Sequence, residues 1–258
     1  MTAIYLYCIV KAARKPSTAR VHPGLAGASR PEVIRVAGSL WLVVAEVPLD
    51  VYGPGHLDQH LADMDWVGRV ALAHESVVEQ FARRAGATVV PMKLFTMFST
   101  RARALADIAA RKRSVESAMR RIAGAEEWGI RVMRGEQPQE RRTATAPRAA
   151  TGAAFLAAKK QARDAAKAAR LAAVEAADEA FARLSRLARD ARRREDGAPA
   201  GATAPLLDAA FLVPSGRRAR FAQTARREAA ACARAGALMI LSGPWPAYNF
   251  VQGDGPAT

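Results

Sequence analysis

Few groups in this chain could start a reaction, and the densest set is His56, Asp58, His60, Asp63 and Asp65. His56 and His60 stand four apart and would share one face of a helix, the beginning of a two-histidine metal site. Neither an HExxH pattern nor a third ligand at a diagnostic distance accompanies them, and Asp58 fits better as an acid complementing a helix N-terminus. His74 lies beside Glu75 and Ser76, but neighbouring helical residues point apart. It is therefore expected to be a surface histidine rather than a general base. Gly53, Pro54 and Gly55 lack the spacing and the lysine of a phosphate loop. No nucleophile elbow or cysteine-protease pattern is present. The sequence assigns no catalytic, cofactor-binding or metal-binding residue, so enzyme function is not expected.

The 258 residues carry a formal charge of +15. Such an excess favours acidic surfaces without choosing between nucleic acid, lipid and protein. The basic helical region 159–194 supports an alternative reading as a nucleic-acid-binding protein. It offers no stacking aromatics, since Phe155 and Phe181 fall on an apolar stripe, and no specific nucleic acid is expected. Cys8 and Cys232 sit far apart in apolar segments and are expected to be reduced and buried. No apolar stretch reaches the roughly 18–20 residues of a membrane span, and no basic leader opens the chain, so a cytoplasmic location is expected.

Any surface must be positioned by a scaffold, and the pattern reads as α+β in two domains, 1–122 and 123–258. Ile4–Val10 is an uninterrupted apolar β run suited to a central strand. Glu32–Val36 and Leu40–Val47 flank Ala37-Gly38-Ser39 and read as a hairpin. Apolar positions from Leu57 through Met64, Val70 and Val77 to Phe81 have helical spacing. Thr88–Phe95 reads as a strand that Pro91 confines to an edge or a bulge. Residues 101–121 are helical and end at Gly124. Trp128–Met133 alternates as a strand, and 135–150 is a connection. Residues 152–194 contain neither Pro nor internal Gly and read as one long helix or a helical hairpin. A linker spans 197–205, followed by a strand at Ala209–Val213, a helix capped by Ser215 and closed by Gly236, and a last strand at Leu238–Leu241.

The segment 243–251 then brings Pro244 and Pro246 together with Trp245, Tyr248 and Phe250. Two prolines stiffen a stretch bearing three large aromatics, so little chain entropy is lost when it docks. Packing at the protein's own domain boundary and binding to another protein both fit.

This ending resembles the GPWPPYxF signature of the gas vesicle GvpF/GvpL family, with Ala247 at the third proline. Tyr5–Val10 resembles that family's opening strand, and Trp66–Phe81 its helix with an HxxVV-type core. Val90–Phe98 is similar to its P-x-RFGT-x-F strand, with Lys93, Leu94 and Phe95 where arginine, phenylalanine and glycine are usual. Glu127–Val132 and Gly152–Lys160 also fit. The resemblance implies a modified ferredoxin-like antiparallel sheet with helices in the N-terminal domain, and a C-terminal α+β domain with long, coiled-coil-like helices. It further implies a non-enzymatic accessory protein of gas vesicle formation, located with the vesicles. Its partners would be the gas vesicle shell protein and other accessory proteins during nucleation and assembly. On this reading the partner-binding residues are Trp245, Tyr248 and Phe250, and, on the long helix, Phe181, Arg183, Leu184 and Arg186.

Overall fold

The computed structural model describes residues 1–135, 152–194 and 204–251. The chain is α+β and forms two compact units, Met1–Glu127 with the segment from Trp245 onward, and Trp128–Pro244. The expected boundary at 122/123 thus moves to 127/128, and the aromatic ending belongs to the first unit rather than the second. The connection expected at 135–150 and most of the linker at 197–205 lie outside the described residues.

In the first unit, β1 (Thr2–Lys11), β2 (Glu32–Ala37), β3 (Leu40–Pro48) and β4 (Thr88–Pro91) form a sheet in the order β2-β3-β1-β4. β1 pairs antiparallel with both β3 and β4, and β2 antiparallel with β3. β1 is buried over its whole interior because both faces of the sheet are covered, which is why its sequence is a continuous apolar run rather than an alternation. A bulge at Tyr7, between Leu6 and Cys8, shifts the register, so that Tyr5 and Tyr7 share one core cluster with Cys8 and Val10 after it. That is the strand order of a ferredoxin-like sheet, modified in that the segment between β1 and β2 carries no helix. Its buried Leu25 packs in the core instead, with its N–H donated to Tyr7 Oη over 3.1 Å.

Helices α1 (Leu49–Tyr52) and α2 (Pro54–Leu61) lead into α3 (Met64–Ala82). Asp63 caps α3, its carboxylate accepting from the N–H groups of Asp65 and Trp66 at 3.0 and 3.1 Å. The helix buries Val70, His74, Val77, Val78 and Phe81. Leu61 and Met64, read as apolar-face positions, are exposed. After β4 the strand expected to continue to Phe95 turns away and resumes as the short β5 (Met97–Phe98), paired with β1. β4 stands at the sheet edge, where Pro91 is tolerated. The single helix expected over 101–121 is two, α4 (Arg101–Ala110) and α5 (Lys112–Ile122), with Gly124 in the left-handed region at φ 66 past the end of α5.

The chain enters the second unit within β6 (Ala125–Arg134). That unit adds α6 (Gly152–Ser185), β7 (Asp190–Arg193), β8 (Leu207–Pro214), α7 (Arg218–Arg234) and β9 (Ala237–Trp245), its sheet ordered β7-β8-β6-β9. The long helix therefore stops at Ser185 and not at 194, because Asp190–Arg193 pairs antiparallel with Leu212–Ala209. Ser215 opens a short 3-10 turn, and α7 has Arg217 at its N-cap position, so the cap expected from Ser215 is not made there. The core is built from Trp128, Ile130 and Val132 of β6, Phe211 and Val213 of β8, Phe221 of α7, and the alanine stripe of α6.

Candidate functional site

The polar groups of the first unit converge where α3 meets β1 and the returning C-terminal segment. His74 is 2% exposed, which corrects its reading as a surface histidine. It occupies the apolar register of α3, four residues after Val70 and three before Val77. Its Nδ1 lies 2.8 Å from Tyr5 Oη, while that oxygen lies 3.4 Å from the Phe95 N–H. Tyr5 Oη thus accepts from the Phe95 N–H and shares a second hydrogen bond with His74 Nδ1, whose direction is set by the imidazole tautomer. Burial drives the His74 pKa down to about 4, opposed weakly by the Met92 backbone. The same burial pushes the Tyr5 phenol up and the Tyr7 phenol up to about 12.

Glu75 faces the C-terminal segment. Tyr248 donates its hydroxyl to Glu75 Oε2 over 2.6 Å. Desolvation raises the Glu75 carboxyl above its ordinary value, the Tyr248 hydrogen bond pulling it back and Glu79 raising it further. The Tyr248 phenol is raised strongly by burial and by that carboxylate. At the next residue, Glu127 accepts from the backbone N–H of Asn249 at 2.8 Å and from its side-chain Nδ2 at 2.5 Å. Pro246, Ala247 and Phe250 are buried beneath these bonds, Phe250 completely. The aromatic ending is thus clamped into its own unit at three points.

Of the expected partner-binding residues, Phe250 and Leu184 are fully buried in the cores of their units and are corrected to core residues. An aromatic or leucine at zero exposure presents nothing to a partner. Trp245 is 43% exposed. Tyr248 is half-buried through its bond to Glu75. Phe181 is half-buried against Phe211, with the Arg193 guanidinium 4.5 Å above its ring. Arg186 is exposed. Arg183 is exposed but engaged, its Nη1 3.0 Å from Oε2 of the buried Glu228 and its Nη2 2.7 Å from Glu179. A second ionic cluster was not anticipated. Asp208 of β8, a buried carboxylate, receives Arg131 Nε at 2.9 Å and Arg194 Nε at 2.7 Å, tying β8 to β6 and to the residue after β7.

The other candidates are dispersed. Asp63 is spent on the α3 cap, and His60 stacks on Trp66 with ring centroids 4.7 Å apart. His56 and Asp58 are exposed on α2. Among the described residues no group of three or more His, Cys, Asp or Glu is placed to hold a metal ion. Cys8 and Cys232 are both buried and free, one in each unit. Beside β1 and β4 a cavity of about 460 Å³ has an apolar floor of Ile9, Val90 and Val115, with Lys93 and Arg111 also lining it. No helix among the described residues is long and apolar enough to cross a membrane.

Comparison with known proteins places this geometry in context. A family model described as "Gas vesicle synthesis protein GvpL/GvpF" matches residues 3–252. A protein named gas vesicle protein L, from Streptomyces sp. (strain CB03234), is 28% identical over 237 residues, covering 87% of this chain and 84% of that protein. The crystal structure of the gas vesicle protein GvpF from Anabaena sp. PCC7120 is similar at a TM-score of 0.70 and 15% identity, covering 100% of this chain and 99% of that one. GvpF from Microcystis aeruginosa is similar at a TM-score of 0.64 and 16% identity, covering 97% and 99%. At these identities the two crystal structures speak for the fold.

Proposed function

The chain belongs to the gas vesicle synthesis protein GvpL/GvpF family, and we propose that it serves gas vesicle formation as a binding protein rather than a catalyst. In this reading it holds shell subunits and other accessory proteins during nucleation and assembly, in the cytoplasm beside the growing vesicle. The match over residues 3–252, which takes in both units, carries the reading.

The local chemistry supports it. The groups best suited to acid–base work are committed to the fold: His74 is held neutral by burial and bonded to Tyr5, and Glu75 is bonded to Tyr248. Contact then falls to exposed side chains, with Trp245 and Arg186 foremost and the accessible edges of Tyr248, Phe181 and Arg183 beside them. A half-exposed tryptophan on a proline-stiffened segment loses little entropy on binding, which suits an anchor residue.

Pairwise pull-down of the purified chain against the shell protein and each accessory protein of the same host tests this. Retention of at least one of them, weakened by Trp245→Ala without loss of fold, is expected. Retention of none would remove the proposal.

A further inference from the structure

Every residue of α6 from Gly152 to Ala172 is exposed, whereas from Ala173 onward the same helix buries Ala173, Ala177, Ala180 and Leu184 against its unit's core. Stepping back from Ala173 by the same intervals of three and four gives Ala169, Ala166, Ala162, Ala158 and Phe155. The core-facing seam therefore continues for five turns over residues that are all exposed, with no core contact made by Phe155, Ala158, Ala162, Ala166 or Ala169 among the described residues. Phe155 and Leu156 are 59% and 67% exposed on that free half.

Charge on the free half is not scattered. Lys159, Lys160, Arg163, Lys167 and Arg170 stand against the single acid Asp164. At the helical turn of 100° per residue, all five cations fall within an arc of about 100° along one flank of the seam. They make a basic ridge roughly 16 Å long. Asp164 is 3.8 Å from Arg163, a solvent-exposed pair that neutralises little of it.

We infer that the free half of α6 is a docking surface for an acidic amphipathic helix of another protein. Its alanine seam admits a close-packed apolar face, and its basic ridge pairs with a row of carboxylates. A second copy of this chain would set ridge against ridge at a repulsive cost. Nucleic acid would satisfy the ridge and leave Phe155 and the seam bare, since phosphates present no apolar face. The inference deepens the proposed function by naming a partner's chemistry, and rests on that function only for placing the partner among vesicle proteins.

The test uses the full chain and a labelled helical peptide bearing glutamates four residues apart beside an alanine–leucine seam, at near-physiological salt. A scrambled peptide of identical composition, duplex DNA and vesicles containing phosphatidylserine are the competitors. Saturable binding of the patterned peptide is expected, weakened roughly tenfold or more by the combined change K159E, K160E, R163E and K167E. The pair A162Q and A166Q keeps every charge and blocks the seam, so it should weaken the peptide similarly while leaving DNA binding unchanged. All six substitutions lie on solvent-exposed helix, and an unchanged circular dichroism spectrum verifies the fold. Equal binding of the scrambled peptide, tighter binding of DNA or vesicles, or indifference to both variants would overturn the inference. Because the assay is done with purified components, a chain that binds the peptide yet is dispensable for vesicles would sink the function and spare this inference.

Discussion

Tyr248 donates its hydroxyl to Glu75 across 2.6 Å, joining the aromatic ending to the middle of α3 although 173 positions separate them in the chain. The signature that reads in sequence as a docking segment is thus already docked, inside its own unit. Its conspicuous composition serves the stability of that unit first, and Trp245 is its most exposed aromatic.

Loosening that clamp should destabilise in proportion to what is left unpaired. Tyr248→Phe leaves the Glu75 carboxyl without its donor and should cost about 1–3 kcal/mol. Phe250→Ala opens a cavity at a fully buried site and should cost about 3–5 kcal/mol. Urea midpoints of the first unit report both, and unchanged midpoints would mean the ending is not core.

Acid should weaken the fold through His74. The unfolded side chain takes up its proton near pH 6.5 and the folded one near 4, so between these values the unfolded state holds more protons. Stability from this group is complete above pH 6.5 and is lost as pH falls through the window, by on the order of 3 kcal/mol. Glu75 opposes it, since a raised carboxyl loses its contribution as pH rises. His74→Gln should flatten the dependence of the urea midpoint on pH between 4 and 6.5; an unaltered slope would show that another group sets it.

Phe95 carries a non-glycine backbone at φ 61 and stacks on Trp66, the ring planes 1° apart at 5.8 Å. The family pattern read from the sequence has glycine at this position, and the left-handed turn explains why. Both Phe95→Gly and Phe95→Ala lose the stacking, but only alanine keeps the backbone strain, so the alanine variant should be less stable by about 1 kcal/mol. Thermal melting of the two variants side by side measures this; the opposite order would mean the turn relaxes.

Removing the shared acceptor at Asp208 should loosen the second sheet. Asp208→Asn deprives Arg131 and Arg194 of a carboxylate at 2.9 and 2.7 Å. Both guanidiniums retain access to water, which holds the expected cost to about 1–3 kcal/mol. Faster amide hydrogen exchange in β6 and β8 is the readout, and unaltered exchange would mark the cluster as peripheral.

What the sequence made legible follows the range of the forces involved. The run of β1, the hairpin of β2 and β3, and the start of the long helix α6 at Gly152 are local patterns and stand close to where periodicity puts them. β7 was hidden because Asp190–Arg193 has no strand composition, and only pairing with β8 turns it from the helix. The return of Trp245–Phe250 to the first unit and the burial of Phe250 depend on long-range contacts that no window reveals. His74 was the recoverable miss: its register with Val70 and Val77 marks the buried face, and its polarity drew attention to the surface instead.

The account stands on the chain being required for gas vesicles as a folded binding protein and not through chemistry of its own. Vesicle formation in a strain lacking the gene, counted by electron microscopy after complementation with the wild type or with the combined His74→Gln, Glu75→Gln variant, tests this most directly. The account predicts loss on deletion and rescue by both, provided the variant accumulates as folded protein. Normal vesicles without the gene, or failure of a folded variant to rescue, would contradict it.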